Sequence, residues 1–489
     1  MPSRPMLLVH GYSADAMSLE NLYRQLIGQG VDARIVNVGN YISLNNEITI
    51  EDISEGLEQA IRLVAGLDAA EEFDAVVHST GMLVVRAWLA HQKVTPGDNE
   101  RLKRLKHLIG LAPATWGSPQ AHKGRTWLGA LVKGNKTPGP DFLNAGNKVL
   151  DGLELGSKLT WDLAHADLLG PQPYFGTDAN TPYVAVFIGN TPYDGIAGVS
   201  NDPGTDGTVR WSGCGLNTRK ITLDLTQTPT DSKGQPRQRV TMSPWAANGS
   251  RIDVPILAVE GKNHGTLVSD PDAGMMARIG KFLQVSSAEE YDNWLTEARA
   301  WSAPAKQKML QSKGHGFAFW ETKELDGWQQ FVVRVRDTHG DPVTDYMIGV
   351  FERGVDPTTG QEGWIRSEEF SMDVHAYGAD PSYRCLHIQL PKGITTSPKP
   401  MQIGIQASTG TDVVAYQGYG SDDVDREMRA DSDPVMIDIT EALKDKDATL
   451  FHAFTTTLVE VVLNRRPFPF EDPSKIFAWW PPFPPEANQ

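Results

Sequence analysis

With 489 residues, the chain is too long for one ordinary domain, and its length predicts two or three domains. Hydrophobic residues make up 40% and charged residues 22% of the sequence, a balance typical of globular proteins in water. The formal net charge of -16 argues against nucleic acid as a partner and against attachment to anionic lipid through a basic patch.

Residues 1–285 alternate short apolar runs with amphipathic segments, the pattern of a parallel α/β sheet. Six buried strands are predicted in this part, at residues 6–9, 33–38, 74–78, 107–113, 183–190 and 254–261. Helices are predicted between them, because apolar residues recur at helical spacing in segments such as 51–67. The insertion at residues 114–182, rich in tryptophan and leucine, is expected to form a cap over a functional site.

The pattern changes after residue 285. Residues 286–315 predict a helical linker, and residues 316–465 alternate apolar and polar positions between turn signals, which predicts an antiparallel β-sandwich. The tail, residues 466–489, places aromatic residues among prolines that prevent regular structure. These aromatic residues are Phe468, Phe470, Phe477, Trp479, Trp480 and Phe483. Three roles are open for the tail: packing on its own domain, a subunit contact, or insertion at a membrane interface.

The N-terminus and the cysteines bear on the compartment. The first apolar run, residues 6–9, is too short for a signal peptide, and no later segment reaches the length of a membrane span. A secreted chain of this length that relied on disulfides would carry more cysteines, so Cys214 and Cys385 are predicted to be free thiols in a reducing compartment. We therefore expect synthesis in the cytoplasm, and export without a cleaved signal stays an alternative.

A candidate nucleophile lies in the stretch "DAVVHSTGML", between a predicted strand and a predicted helix. A strand-to-helix turn lifts the hydroxyl of Ser79 above the sheet and directs the helix N-terminus at a developing oxyanion. The usual elbow motif is G-x-S-x-G, but Val77 occupies the first glycine position and only Gly81 matches. A serine that merely caps the helix is the alternative.

The stretch "LLVHGYS" after the first strand supplies a candidate oxyanion hole. The backbone N–H of Tyr12 would join that of Thr80 to hold the oxyanion, and Gly11 would let the backbone approach the substrate closely. His10 and Gly11, together with Trp116 of the insertion, are predicted to line the substrate site. An ordinary turn at the end of the strand is the alternative.

The acid and the base come later in the chain, in the order that hydrolases of this kind use. Asp206 lies in "SNDPGTDGTVRWSG" after the fifth strand, and His264 lies in "KNHGTLVSD" after the sixth. His264 is the only histidine between Asp206 and His315, which ends the predicted linker. Asp202 and Asp194 stay alternative acids, since many loop aspartates only cap turns.

Together these residues predict a serine hydrolase in which His264 takes the proton from Ser79 and Asp206 orients the imidazole. No zinc-ligand spacing, calcium loop or phosphate-binding loop occurs in the sequence, and a hydrolase of this kind needs neither a metal nor a cofactor. His78 is interpreted as a supporting or buried histidine, because the elbow directs it away from the nucleophile.

Five stretches within residues 1–270 carry a resemblance to a known family: the H-S-T-G elbow around Ser79, "GNYISLNNEITIEDI", "LAPATWGSP", "LELGS" and "GTDGTVRW". In these stretches the sequence resembles the PlaB-type phospholipases A of Gram-negative bacteria. The resemblance implies an α/β-hydrolase fold followed by a β-sheet domain, with the triad at Ser79, Asp206 and His264. It also implies hydrolysis of acyl esters in phospholipids and lysophospholipids, peripheral contact with bacterial membranes, and a homo-oligomer, either a dimer or a tetramer.

Two other functions stay open. One is a carboxylesterase or lipase that acts on soluble or neutral-lipid esters. The other is a non-catalytic interaction protein that keeps the hydrolase fold and works through its β domain.

Overall fold

The structure is a computed structural model of the full chain. It describes residues 4–11, 16–36, 48–63, 66–67, 71–90, 99–123, 147–172, 174–177, 180–193, 201–228, 230, 233–234, 239–243, 254–313, 322–368, 370, 372–396, 399–411, 413–440 and 450–467.

A parallel sheet forms the centre of the N-terminal part. Its strands, in chain order, are β1 (Met6–Val9), β2 (Ala33–Val36), β3 (Phe73–His78), β4 (Leu105–Leu111), β5 (Tyr183–Gly189) and β8 (Ile256–Val259). They lie in the order β2-β1-β3-β4-β5-β8, and every neighbouring pair is parallel. The six predicted strands are therefore confirmed as one sheet. Their nearly continuous apolar sequences fit a sheet that is buried on both faces.

Helices connect these strands. Within the described residues they are α1 (Glu20–Gly28), α2 (Ile50–Leu63), α3 (Gly81–Ala90), α4 (Glu100–Arg104), α5 (Pro119–Lys123), α6 (Asn147–Leu153), α7 (Lys158–Asp167), α8 (Thr266–Ser269), α9 (Ala273–Phe282) and α10 (Ala288–Lys308). Several begin at polar caps that the sequence encodes, such as Asn99 for α4 and Ser157 for α7. The helix α3, which follows Ser79, is buried over almost its whole length.

The C-terminal part is built from two further sheets. Their strands are β6 (Thr218–Asp224), β7 (Val240–Met242), β9 (Gln311–Lys313), β10 (Thr322–Asp337), β11 (Tyr346–Val355), β12 (Glu362–Arg366), β13 (Met372–Ala376), β14 (Tyr383–Pro391), β15 (Met401–Ala407), β16 (Val414–Tyr419), β17 (Asp425–Met428), β18 (Val435–Asp438) and β19 (Thr455–Pro467). In the described part of the chain, β12-β11-β15-β18 form one sheet and the other nine strands form the second. Apolar residues from both sheets share one core, so the predicted sandwich is present.

One feature of the larger sheet was not predicted. The strand β19 pairs in parallel with β10 on one side and with β6 on the other, while the remaining pairs are antiparallel. The strand β6 precedes β8 in the chain but belongs to the sandwich, so the chain enters the second unit and returns before the parallel sheet is complete. The contiguous division at residues 285 and 316 stays a prediction, and so does the cap at residues 114–182, of which residues 124–146 lie outside the described residues.

The two units share a packed boundary. One face of the large sheet contributes Trp328, Val332, Cys385 and Leu458 to the core of the N-terminal unit. The opposite face of the same sheet forms the core of the sandwich. Because the side chains of a strand alternate between faces, a single sheet serves both cores.

Other predictions concern cysteines, membrane spans and the tail. Cys214 and Cys385 are buried free thiols. None of the helices in the described part of the chain combines the length and apolar character that crossing a bilayer requires. The aromatic residues of the tail lie outside the described residues.

Candidate active site

Ser79 occupies a sharp turn between β3 and α3. Its φ of 55° lies in the left-handed region, which is uncommon for a residue other than glycine. The turn is held on both sides, since the amide of Ser79 donates to the carbonyl of Leu111 (3.3 Å) and its carbonyl accepts from the amide of Ala114 (3.0 Å). This backbone conformation distinguishes Ser79 from an ordinary helix cap, whose backbone is extended.

The structure explains how valine replaces glycine at the start of the elbow. Val77 is fully buried and pairs with Val9 of β1 on one side and with Gly110 of β4 on the other. A Cβ atom on Gly81 would lie 3.4 Å from the Cβ of Val77, so the elbow glycine that is retained faces the valine. The close approach to β1 is made instead at Gly81, where a Cβ atom would lie 2.9 Å from the carbonyl oxygen of Val9.

The end of β1 lies against the serine. A Cβ atom on Gly11 would be 2.7 Å from the Cβ of Ser79, so only glycine fits there. The buried His10 donates from Nδ1 to the carbonyl of Gly11 (2.9 Å), which fixes this turn. Thr80 is buried in the elbow itself. Tyr12, the predicted second oxyanion donor, lies outside the described residues.

The structure brings Asp206 and His264 into direct contact. The Nδ1 atom of His264 donates to Oδ2 of Asp206 at 3.0 Å, and the amide of His264 donates to the carbonyl of Asp206, also at 3.0 Å. Because Nδ1 carries the proton shared with the carboxylate, Nε2 is the ring nitrogen that remains to act as a base.

The carboxylate of Asp206 is fully buried and saturated with donors. Its Oδ1 atom accepts from the amides of Thr208 (3.0 Å) and Val209 (2.8 Å), while Oδ2 holds His264. Buried charge is tolerated when it is hydrogen-bonded in this way. These amide bonds also fix the direction in which the carboxylate points.

Tyr193 is a neighbour that the sequence did not single out. Its ring packs over Gly207, where a Cβ atom would lie 2.5 Å from the ring, and its hydroxyl contacts Oγ1 of Thr208 at 3.1 Å. Burial raises the pKa of Tyr193 to about 12, with a further contribution from the charge of Asp206. Tyr193 thus stays neutral and packs against the two residues that follow Asp206. The sequence could have indicated Tyr193 only through its position shortly after the fifth strand, where site residues of this fold are expected.

His78 supports the base from behind. Its Nε2 atom donates to the carbonyl of His264 (3.1 Å), and the two rings lie 4.7 Å apart. Burial, together with the neighbouring His264 and His10, lowers the pKa of His78 to about 3. A neutral His78 adds no positive charge beside the base, in agreement with its interpretation as a supporting residue.

The alternative and additional site residues are placed as follows. The carbonyl of Asp202 accepts from the hydroxyl of Thr205 (2.7 Å), and the carboxylate that accepts from Nδ1 of His264 is that of Asp206. Asp194 lies outside the described residues. Trp116 has no exposed surface and donates from Nε1 to the carbonyl of Gly215 (2.9 Å). This burial gives Trp116 a packing role and does not support the predicted contact with substrate.

A second buried histidine–carboxylate pair lies at the opposite ends of the strands, away from Ser79. The Nδ1 atom of His107 contacts Oδ1 of Asp74 at 2.7 Å, and its Nε2 atom contacts the carbonyl of Val285 at 2.9 Å. Both residues lie near the N-terminal ends of their strands, whereas Ser79 follows the C-terminal end of β3. Both ring nitrogens are engaged, so this pair has no free base nitrogen.

One described group offers metal-ligand atoms, namely Asp337, His339 and Asp341 in the turn after β10. Asp337 accepts from the amides of His339 (2.8 Å) and Asp341 (3.0 Å), and Arg465 donates to both carboxylates at 3.3 Å. The turn belongs to the sandwich and takes no part in the site at Ser79.

The parallel sheet, the strained serine at the strand-to-helix turn and the later acid–histidine pair define the α/β-hydrolase fold. The fold of the whole chain is that of phospholipase PlaB from Legionella pneumophila. That structure superposes with a TM-score of 0.72 at 20% sequence identity, over 99% of this chain and 97% of that chain. A structure of the same phospholipase in complex with thio-NAD gives a TM-score of 0.69 at 20% identity over the same shares.

The predicted resemblance to PlaB-type proteins is thus confirmed for the fold, including its second, β-sheet part. No protein-family model matches the sequence, and no curated protein matches it. The roles of Ser79, Asp206 and His264, of the oxyanion donors and of the substrate-lining residues stay predictions that the geometry supports to different degrees.

Proposed function

We propose that the protein is a serine hydrolase of carboxylic esters that acts on phospholipids and lysophospholipids. The observation that carries this proposal is the bond between Asp206 and His264, on loops that follow β5 and β8. Ser79 has a left-handed backbone, and its neighbour His78 donates to the carbonyl of His264. A strained serine, a base with one free nitrogen and a buried acid are the three parts that acyl transfer requires.

In the acylation step, Oγ of Ser79 attacks the carbonyl carbon of the ester, and Nε2 of His264 takes the hydroxyl proton. Asp206 stabilises the imidazolium that forms, because its carboxylate is fixed by the amides of Thr208 and Val209. The imidazolium then gives the proton to the departing alcohol oxygen as the ester bond breaks. The fatty acyl group remains on Ser79.

In the deacylation step, water replaces the alcohol. His264 takes a proton from the water, the hydroxide attacks the acyl carbon, and the proton returns to Oγ of Ser79 as the fatty acid leaves. The amide of Thr80, at the start of α3, is one donor for the oxyanion in both steps. The predicted second donor is the amide of Tyr12. His10 holds the carbonyl of Gly11, so it orients the backbone that leads to Tyr12.

The choice of phospholipid rests on the shared architecture. PlaB is a phospholipase, and its fold matches this chain over 99% of the length, including the sandwich. A hydrolase unit alone is common to enzymes with many substrates, so fold by itself gives only an expectation. Peripheral membrane contact and assembly as a dimer or tetramer are part of the same proposal.

A lipid panel tests the substrate. Release of fatty acid is measured from phosphatidylcholine, lysophosphatidylcholine, triacylglycerol and a soluble p-nitrophenyl ester, with Ser79→Ala as the blank. We expect hydrolysis of both phospholipid substrates. Activity confined to triacylglycerol or the soluble ester would replace the phospholipase proposal by a lipase or carboxylesterase, and no activity on any substrate would favour a non-catalytic interaction protein.

Removal of the tail from Phe477 onward tests membrane contact and assembly. We expect the truncated protein to lose activity on liposomes or to change its oligomer size, while it keeps activity on the soluble ester. Liposome activity and oligomer size equal to those of the full chain would reject a role of the tail in either.

A further inference from the structure

The acid of the proposed triad lies on a small hairpin that faces the C-terminal sheet. Thr205 and Arg210 form the bridge that closes this hairpin, and Asp206 directly follows Thr205. The amide of Asp206 donates to the carbonyl of Val209 (3.2 Å), and the amide of Trp211 donates to that of Gly204 (2.9 Å). A displacement of either leg of the hairpin therefore displaces Asp206.

One leg of the hairpin is tied to the sandwich unit by Arg210. Its side chain is 1% exposed, although it carries a full positive charge. The Nη2 atom donates to Oδ2 of Asp373 on β13, and Nη1 donates to Sγ of Cys385 on β14 at 3.3 Å. The third nitrogen, Nε, is buried with no hydrogen-bond partner in the described part of the chain. The guanidinium thus depends on Asp373 for its counter-charge.

The other leg is fixed by contact with two rings of the same sheet. Gly204 has a φ of 75°, and a Cβ atom there would lie 2.7 Å from the ring of Trp328 and 2.8 Å from that of His387. The two rings are stacked, with centroids 5.0 Å apart. Burial, with Arg210 nearby, lowers the pKa of His387 well below its usual value, so a neutral imidazole faces the guanidinium.

A cleft of about 350 Å³ gives solvent access to this contact. Its lining includes Asp202 and Pro203, just before the hairpin, together with Arg210, Trp328, Asp373 and His387. The side chain of Asp373 is 64% exposed, in contrast to Arg210. The buried guanidinium of Arg210 is therefore paired with a carboxylate at the surface of the sandwich unit. Asp373 can be substituted there without disturbing a hydrophobic core.

We propose that Arg210 and Asp373 are positioning residues, through which the C-terminal sheet holds the catalytic acid Asp206 in register with His264. This inference rests on the proposed function, since it assigns a role within the same triad. It gives the sandwich a part in catalysis that is separate from substrate or membrane contact. The hairpin is held by the Arg210–Asp373 ion pair on one leg and by the Trp328–His387 stack on the other. Asp373, Trp328 and His387 all lie on strands of that sheet.

The test uses the full chain and a soluble p-nitrophenyl ester, so that lipid binding does not enter. The variant Asp373→Asn keeps the shape of the side chain and removes its charge. We expect kcat to fall by about 10- to 100-fold, as for other small misplacements of a catalytic group, with little change in KM. Because a loosened Asp206 stabilises the protonated imidazole less, the acid side of the kcat/KM profile should move to lower pH. Asp373→Glu should restore most of the rate.

The matched control is Asp423→Asn. Asp423 is similarly exposed, at 54%, and pairs with Arg239, away from the hairpin. We expect it to leave kcat and the pH profile unchanged. If Asp373→Asn does not fold by circular dichroism, Cys385→Ala removes the other acceptor of Arg210 and should show a smaller loss of kcat with the same direction of pH change.

The outcomes separate this inference from the proposed function. A wild-type kcat for Asp373→Asn, or a loss of kcat without movement of the acid side of the profile, would overturn the positioning role. If Asp373→Asn does not fold, a Cys385→Ala protein with the kcat and pH profile of the wild type would overturn the positioning role. A wild-type enzyme with neither ester hydrolysis nor labelling by a fluorophosphonate would instead remove the proposed function, and the positioning role would go with it.

Discussion

Asp206 and His264 are joined by two hydrogen bonds, one from the backbone amide and one from the ring Nδ1 atom of the histidine, each 3.0 Å long. The backbone bond fixes where the histidine loop lies, and the ring bond fixes the tautomer. The orientation of the His264 ring, the proposed base, is therefore set by contact between two residues that are 58 positions apart in sequence.

The first prediction concerns the identity of the acid. Asp206→Asn should lower kcat by about 10³- to 10⁴-fold, because an amide in this place favours the wrong tautomer of His264. Asp202→Asn is the matched control from the same loop and should leave kcat within a few-fold of the wild type. Steady-state kinetics on a soluble ester provide the measurement. The reverse order of effects would assign the acid to Asp202.

The second prediction concerns the turn beside the nucleophile. Gly11→Ala should reduce kcat strongly, since the added Cβ would lie 2.7 Å from the Cβ of Ser79 and displace the backbone of one of the two turns. Gly28→Ala is the control, because nothing lies within 4 Å of a Cβ at that helical position. It should keep wild-type activity and gain about 0.5 to 1 kcal/mol in the free energy of unfolding. Equal activity of both variants would contradict the close approach.

The third prediction is a pH dependence of stability from His78. Its pKa is about 3 in the folded chain, below the usual 6.5, so the unfolded state binds more protons between these two values. This residue therefore makes the fold less stable as pH falls, by about 2 kcal/mol between pH 8 and pH 5. His78→Gln keeps a donor for the carbonyl of His264 but does not titrate.

Urea unfolding at several pH values measures this effect. The free energy of unfolding should fall less steeply with acidification in His78→Gln than in the wild type. His339→Gln, an exposed histidine in the sandwich, is the control and should follow the wild-type curve. Parallel curves for all three proteins would show that His78 is not held neutral.

The fourth prediction concerns the helix behind the nucleophile. Arg86 of α3 and Asp167 of α7 form a pair with no exposed surface, at 2.7 Å. Burial raises the pKa of Asp167, and Arg86 opposes this shift. Asp167→Asn would leave the guanidinium of Arg86 without its counter-charge and should cost about 3–5 kcal/mol in the free energy of unfolding.

The exposed pair Lys158–Asp162 on α7 supplies the comparison for that measurement. Asp162→Asn should change the free energy of unfolding by no more than about 0.5 kcal/mol, because solvent screens the pair. Similar losses in the two variants, measured by urea unfolding, would contradict the structural role assigned to Arg86 and Asp167.

The hydrolase sheet could be predicted from the sequence because each of its strands is a short apolar run bounded by turns or helices. The strand β6 escaped prediction for a physical reason. Apolar and polar residues alternate in its sequence "TRKITLD", which predicts a strand in a sheet with two different faces. The alternation does not tell which sheet the strand joins. Its partner is β19, more than two hundred residues later, and that long-range parallel pairing leaves no local signal.

Site residues divide in the same way. Order along the chain and position after strands predicted Ser79 and His264, whereas the choice of Asp206 over Asp202 depends on which carboxylate reaches Nδ1. The distance between the carboxylate and Nδ1 of His264 is set by the folded structure and cannot be read from the sequence. The buried position of Trp116 was not predictable either, because an aromatic residue in an insertion fits a pocket wall and a core equally well.

The nucleophile that we propose for this chain is Ser79. A fluorophosphonate phosphonylates an activated serine, and mass spectrometry of the digested protein locates the adduct. We expect one adduct, on the peptide that contains Ser79, with loss of ester hydrolysis in proportion to labelling and no adduct in Ser79→Ala. An unlabelled wild-type protein, or an adduct that persists on another residue in Ser79→Ala, would contradict it.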